Sequence, residues 1–599
     1  MKRIILIVNC TLLIVHCAFS QDTTLTRNVT VEREFQPIVQ SAGKINVRPK
    51  VQETTLPAAE VAYSDYNATL SPAFNTNSLL SQPMRFTTPH QYNGYVRGGL
   101  GHTNTLFDFG YRLDDQKNSI LDVYANHRAE WGRRANSNTR IGFDFRHTFS
   151  TCDLYFGFRG ANRFYTRYGR YYDGDKGLTA AHYRDLQPED KQNIWTVDAF
   201  AGVKSNNKSD IQYQAQAGYT LFALPGYVSE HQVRTTANID WSSDAHHVGG
   251  RVYVQNSFLQ TDQVADTLFN SRHALRIEPY YAYLGRRFSI HAGVNFDINI
   301  GRGQFLSNLD QVTFAPSPKV EFEAQIAKKW LTMYGIAQGS LSAGTLQAYM
   351  ESMPYRAIDP GITSHHVGGY TPIDAQLGFR IRPYRDLLID IYGGYAYQKN
   401  KITTVATVDS VTAAGVPMLP GTFTYFYGDY GRGKIGAAFS YHYQDIITIH
   451  LWGNYYFWQT FRQENIENGY FTKPGYSVPV RADGVYDRAA WDMGLRIDAR
   501  IDKHWSLYSD NRFSGSRTAL VSMPDANGSY ERTLKPTIQL SLGCQYETVV
   551  GSKSFREKTT QPNLVVFFQL NNYIHRHNDI WYGYQSEGIN FLMGVTYKF

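Results

Sequence analysis

Ile211-Gln212-Tyr213-Gln214-Ala215-Gln216-Ala217-Gly218-Tyr219-Thr220-Leu221 is the stretch that decides the fold. Successive side chains of a strand point to opposite faces, so Ile211, Tyr213, Ala215, Ala217, Tyr219 and Leu221 share one side and the glutamines share the other. One face suits an apolar neighbour; the other suits water. The same form recurs where Phe288, Ile290, Ala292, Val294, Phe296 and Ile298 alternate with Ser289, His291, Gly293, Asn295, Asp297 and Asn299. It recurs again where Ile538, Leu540, Leu542, Cys544 and Tyr546 alternate with Gln539, Ser541, Gly543, Gln545 and Glu547.

A soluble sandwich also alternates, so the spacing of the breaks discriminates. Ten breaks are mostly tight: 114–118, 149–153, 205–209, 242–246, 285–287, 327–329, 383–386, 443–445, 501–504 and the longer 549–562. Interleaved with them are eleven that are mostly long: 101–105, 131–139, 167–192, 225–231, 260–272, 301–312, 344–370, 400–421, 460–488, 517–533 and 576–588. Together these connections join 22 strands, with 20 as the alternative if one hairpin is misread. Regular exchange of short with long connections is the pattern of a transmembrane antiparallel β-barrel, with short turns in the periplasm and long loops outside. Both termini then lie in the periplasm. A propeller or tandem sandwich imposes no such division of loop lengths.

Composition agrees. The 599 residues include 44 Tyr, 34 Phe and 9 Trp, yet only 42% are apolar. Mean hydropathy is −0.40. Disordered chains are poor in aromatics and helical membrane proteins are far more apolar, so both classes are excluded together. The net charge of +7 contains no concentrated basic block, so no nucleic-acid partner is expected. Residues 1–20 read as a signal peptide: Lys2 and Arg3 precede an apolar run from Ile4 to Val15, and Ala18-Phe19-Ser20 supplies the cleavage site. Only Cys152 and Cys544 follow it, too few for a disulfide scaffold.

In the last strand Phe591, Met593, Val595, Tyr597 and Phe599 alternate with Leu592, Gly594, Thr596 and Lys598, and the chain ends on an aromatic residue. This pattern resembles the C-terminal signal by which outer-membrane proteins engage the barrel-assembly machinery. Residues 21–92 differ, being β-prone around Asn28-Val29-Thr30-Val31 and lacking a sustained period thereafter. The order of parts, with a signal at 1–20, a short extended segment at 21–92 and a barrel at 93–599, resembles the TonB-dependent receptors of Gram-negative outer membranes. That resemblance implies transport through the outer membrane, with lipid around the barrel. It also implies that Asn28, Val29, Thr30 and Val31 act as a box pairing, as an added strand, with the energy-coupling protein TonB.

The resemblance has one large departure. A full plug domain does not fit in about 70 residues, whereas a 22-stranded lumen needs filling. Inward-folded loops such as 344–370, 400–421 and 460–488, the N-terminal segment, or a partner such as an extracellular lipoprotein are the candidates. A second function class follows from the last of these: a non-energised structural or assembly barrel closed by partner proteins.

Asp122, Asp198, Asp297, Asp390, Lys204 and His291 are expected on the lumen face as a solvated, partly paired wall. Tyr171, Tyr172, Tyr470 and Phe471 are candidate loop contacts for a ligand or external partner, because tyrosine offers a large contact area at low entropy cost. Tyr165 is expected in the aromatic girdle at the membrane interface. His365-His366 lacks a spaced third ligand, so no metal site is expected. No nucleophile with a positioned base and no phosphate loop stands out, so neither catalysis nor a cofactor is expected.

Overall fold

A computed structural model describes residues 93–599 apart from 115–117, 133, 169–190, 207–209, 262–271, 303–309, 328–329, 356–368, 407–409, 412–416, 419–422, 445, 464–465, 468–469, 474–475, 480–483, 522–530, 550–562 and 576. Among these residues the main sheet holds 24 strands. Two of them form a hairpin in a loop, and the other 22 form a wall in which each strand runs antiparallel to the next. The first strand, Gly94–Gly101, pairs with the last, Asn590–Lys598, from Tyr95–Lys598 to Gly101–Leu592, so the sheet closes on itself. Closure removes the sheet edges whose unpaired backbone groups lipid could not satisfy.

The two faces divide as the alternation requires. On Ile211–Leu224, the residues Ile211, Tyr213 and Tyr219 are exposed on the outside, while Thr220, Phe222 and Leu224 are buried on the inside. Phe591, Met593, Val595, Tyr597 and Phe599 are likewise all exposed on one face, opposite buried Leu592, Thr596 and Lys598. An apolar outer surface around a closed ring is a membrane wall. Each of the ten short breaks and eleven longer ones spans the junction of two successive wall strands, several of them overrunning a strand end by a few residues, as at 136–139, 228–231 and 460–463.

One strand end departs from expectation. Leu387–Ala406 does not stop before residue 400: Asn400 takes a left-handed φ of 53° and the register skips between Gln398 and Lys401. That is a β-bulge, built on a residue type that tolerates the left-handed region, and the strand resumes through Ile402–Ala406. Its neighbour Tyr370–Tyr384 ends at the Tyr370–Lys399 pair, which would leave the continuation bare on that side. The loop hairpin Arg517–Val521 with Glu531–Leu534 takes up the edge, setting Leu520 and Val521 parallel to Val405 and Ala406.

The inner wall is polar and paired. Asp122, Asp198 and Asp297 meet Arg112, Arg234 and Arg276 at 2.6, 2.7 and 2.6 Å. Tyr334 donates to Asp390 at 2.9 Å and lies across Gly378, where a Cβ would stand 2.5 Å from the ring. Tyr280 does the same over Gly249, donating to Asp240 at 2.6 Å while His291 stacks on it at 4.7 Å. Glycine opposite an inward tyrosine lets the ring lie flat along the wall, which both fills the groove and fixes register.

Candidate functional site

Toward the long-loop end, the inward face of several wall strands changes from polar to apolar. Along Lys191–Ser205 it runs from Lys204 and Asp198 to buried Ile194; along Ile211–Leu224 it runs from Gln212 and Gln214 to buried Phe222 and Leu224; and Val228 continues it on the eighth strand, Val228–Ser243. Seven strands further round, Ala406 on the fifteenth strand and Phe423, Tyr425 and Tyr427 on its successor Phe423–Tyr443 are buried too. These residues share one continuous apolar core. Loop residues join them: Leu346, Tyr349, Met350, Met353 and Tyr355; Ala519, Val521 and Leu534 of the hairpin; and Ile580, Trp581, Tyr582 and Tyr584 before the last strand. Strands that far apart around the ring share this core through loop residues at the long-loop end of the barrel.

Each loop is fastened to the wall by polar groups. Leu346–Ser352 is a short helix whose first N–H groups lack partners within it. Glu230, fully buried on the wall, accepts from Leu346 N at 3.1 Å and Gln347 N at 3.0 Å, and Thr345 Oγ1 accepts from Ala348 N at 3.2 Å. A carboxylate there also meets the positive end of the helix dipole. Gln232 and Ser257 donate to the same carboxylate and hold it in place. Upstream, Arg272 donates to Gly344 O at 2.7 Å, Asn299 to Ser342 O at 2.8 Å, and Leu341 N donates to Asp297 at 3.1 Å.

The aromatic centre joins three loops. Tyr355 stacks on Tyr584 with ring centroids 3.9 Å apart, and Tyr165 and Tyr168 meet Tyr355 edge-on at 5.5 and 6.2 Å. Tyr165 donates to Pro354 O, and Tyr168 donates to Gln585 O at 3.0 Å. Burial pushes the Tyr168 hydroxyl up to about 12, so it stays protonated as a donor. Arg517 donates to Asp579 O at 2.5 Å, tying the hairpin to the loop before the last strand. Asp487 N donates to Thr518 O at 2.8 Å, and Arg488 lies 3.9 Å over the Tyr430 ring and 4.8 Å over Trp458, which attaches the 464–490 loop. Burial lowers the Arg488 pKa, and the two ring faces supply the electron density that its charge needs.

Tyr165 corrects a sequence expectation. It is buried within the core and is no girdle residue. Leu154, Phe156 and Phe158 are the exposed, outward set on its strand, Cys152–Thr166, so the odd-numbered Tyr165 must point inward. Tyr470 and Phe471 lie in a small three-stranded sheet, paired with Pro479 and Val478. Asn28 to Val31, Tyr171, Tyr172 and His365-His366 fall outside the described residues. Among the described residues of the three loops expected to fold inward, 344–370 supplies Leu346, Tyr349, Met350, Met353 and Tyr355 to the core. The residues that sequence reasoning missed are Ile194, Phe222, Leu224, Val228, Tyr425 and Tyr427. Their signal was available: apolar side chains on the polar parity, near the ends of strands that lead into long loops.

No family model matches the chain, and no curated protein matches it. Solved structures do match. The FrpB iron transporter of Neisseria meningitidis (F3-3 variant) superposes with a TM-score of 0.61 at 9% identity, covering 86% of this chain and 82% of that one. The siderophore receptor PirA of Acinetobacter baumannii gives 0.58 at 10% identity over 85% and 81%. The ferric-catecholate import receptor Fiu of Escherichia coli K12 gives 0.57 at 9% identity over 85% and 82%. A closed 22-strand wall, an apolar outer face and these superpositions together identify the fold as that of a TonB-dependent receptor-like outer-membrane β-barrel.

Proposed function

We propose that this protein is a TonB-dependent outer-membrane transporter, with its long loops outside the cell, both termini in the periplasm, and a bore that its own loops bridge at rest. The single observation that carries this reading is the apolar core shared by wall strands far apart around the barrel and by four loops. A general pore needs an open bore; a receptor needs one that opens only on demand. Residues that close the bore within this chain also favour the transporter over a barrel closed by partner proteins. Substrate arriving from outside would have to bind the displaced loops better than the bridged ones, since a ligand shifts a conformational equilibrium only by its differential affinity. Energy for that displacement would come through strand addition of TonB at Asn28, Val29, Thr30 and Val31. Tyr171, Tyr172, Tyr470 and Phe471 would supply outer contacts, and Phe591, Met593, Val595, Tyr597 and Phe599 would direct assembly.

Val29→Pro removes a backbone donor from the augmenting strand. In cells bearing that variant, the barrel should insert normally and show unaltered heat-modifiable migration, while growth or uptake that depends on the protein is lost. Normal uptake with Val29→Pro and with residues 22–32 deleted would reject energised transport.

A further inference from the structure

Three neighbouring hairpins carry a cluster of unpaired arginines at the short-turn end of the wall. They are Arg272–Leu284 with Phe288–Arg302, Asp310–Ala327 with Leu331–Leu341, and Tyr370–Tyr384 with Leu387–Ala406, and each hairpin pairs with the next. We propose that this arc, through Arg286, Arg287, Arg382 and Arg385, is a binding site for anionic phospholipid headgroups in the leaflet on that side. The inference goes beyond the transport reading and does not depend on it, because it needs only a closed barrel seated in a bilayer.

These four differ from the arginines of the inner wall. Arg234, Arg251, Arg276 and Arg432 each meet a carboxylate, at 2.7, 3.1, 2.6 and 3.1 Å. Arg286, Arg287, Arg382 and Arg385 are exposed, and their side chains meet no carboxylate or other hydrogen-bond partner among the described residues. Backbone bonds hold the turns side by side: Gln325 N donates to Arg287 O and Arg382 N donates to Trp330 O, both at 2.7 Å. Three strand spacings, about 14 Å, separate Arg287 from Arg382. That span is comparable with the Debye length of about 8–10 Å near physiological salt, so the fields of neighbouring arginines overlap. Among the described residues of these turns the one carboxylate is Asp386, also exposed, so four guanidinium groups stand against a single acid.

The same turns fix the height of the cluster. Phe288, directly after Arg287, opens an outward row in which Val294 and Ile300 are also exposed, and Ile326, Trp330 and Tyr384 are exposed on the next two hairpins. Apolar and aromatic side chains at the end of a barrel wall mark the boundary between hydrocarbon and headgroups, so the adjoining arginines stand at headgroup level. A guanidinium is a planar fork that matches phosphate oxygens and sheds water more readily than an ammonium. Zwitterionic lipid brings its own cation beside the phosphate; anionic lipid does not, and a basic cluster selects it. A soluble acidic protein would first have to displace the headgroups already at that height.

The full chain should be reconstituted in phosphatidylcholine vesicles carrying a trace of spin-labelled phosphatidylglycerol or spin-labelled phosphatidylcholine, and the motionally restricted fraction read by electron paramagnetic resonance. The native protein should hold phosphatidylglycerol over phosphatidylcholine by about threefold or more. Replacing all four arginines, as Arg286→Gln, Arg287→Gln, Arg382→Gln and Arg385→Gln, should bring the ratio close to one, whereas the four Arg→Lys changes should keep most of it. Arg500→Gln with Lys503→Gln, on the 501–504 turn where Asp502 offsets the charge, should leave it unchanged. Heat-modifiable migration of each variant checks that the barrel is intact. Equal retention of both lipids by the native protein would overturn the assignment. So would a preference that survives the four Gln changes, which would leave the arc to an acidic protein partner, or one that the Arg500 and Lys503 changes reduce as much, which would make it a property of net charge alone.

Discussion

At the residue scale Glu230 and Tyr168 fasten loops to the wall and to one another. Glu230 serves two backbone N–H groups of the helix at 3.1 and 3.0 Å from a fully buried position, so Glu230→Gln would leave at least one of those donors facing an amide N–H. The loss should be about 1.5–3 kcal/mol of local stability, and hydrogen exchange at Leu346 and Gln347 should speed by roughly 10- to 100-fold. Unchanged exchange at both amides would show that the contact holds nothing. Tyr168 supplies the pH dependence. Its folded pKa of about 12 lies above the ordinary value of 10.0, so its contribution is fully present below pH 10 and is lost as the pH rises toward 12. Tyrosine absorbance followed against pH, with Tyr168→Phe as control, should show one late titration that the variant lacks; a titration near 10 would place the hydroxyl in water.

The strands and their breaks were legible because alternation and turn chemistry are local properties. The strand end that departs furthest from expectation shows where local reading stops: Lys399-Asn400-Lys401 is polar and turn-like, and only its neighbours make it a bulge within a continuing strand. Tyr165 differs for another reason: it stands near a strand end, where girdle residues sit, but its parity along the strand turns it inward. The closing core was less legible because its members come from segments hundreds of residues apart. At this scale the loop hairpin is the element to test. Leu520 is buried beside Val405 at the covered edge, and Leu520→Ala should cost about 2–5 kcal/mol by truncation of a buried side chain. Backbone amides of the 517–521 strand should then exchange faster while those of the barrel wall, such as Ile389 and Ile391, keep their protection. Equal acceleration in both places would mean that the hairpin is no separate unit.

For the whole molecule, the core at the long-loop end is what joins distant parts of the wall. A barrel of 22 strands is too wide for wall side chains alone to fill, and the proposed closure draws on loop residues that pack with apolar wall residues on the inward face. The most direct measurement is ionic conductance in planar lipid bilayers, comparing the full chain with a variant in which 343–368 and 573–588 are each replaced by a short Gly-Ser linker. The full chain should show only small or rare currents, and the loop variant should conduct steadily, at least about tenfold more, as a wide barrel does when nothing bridges it. Large steady currents through the intact protein, or equal currents through both, would contradict a bore closed by its own loops.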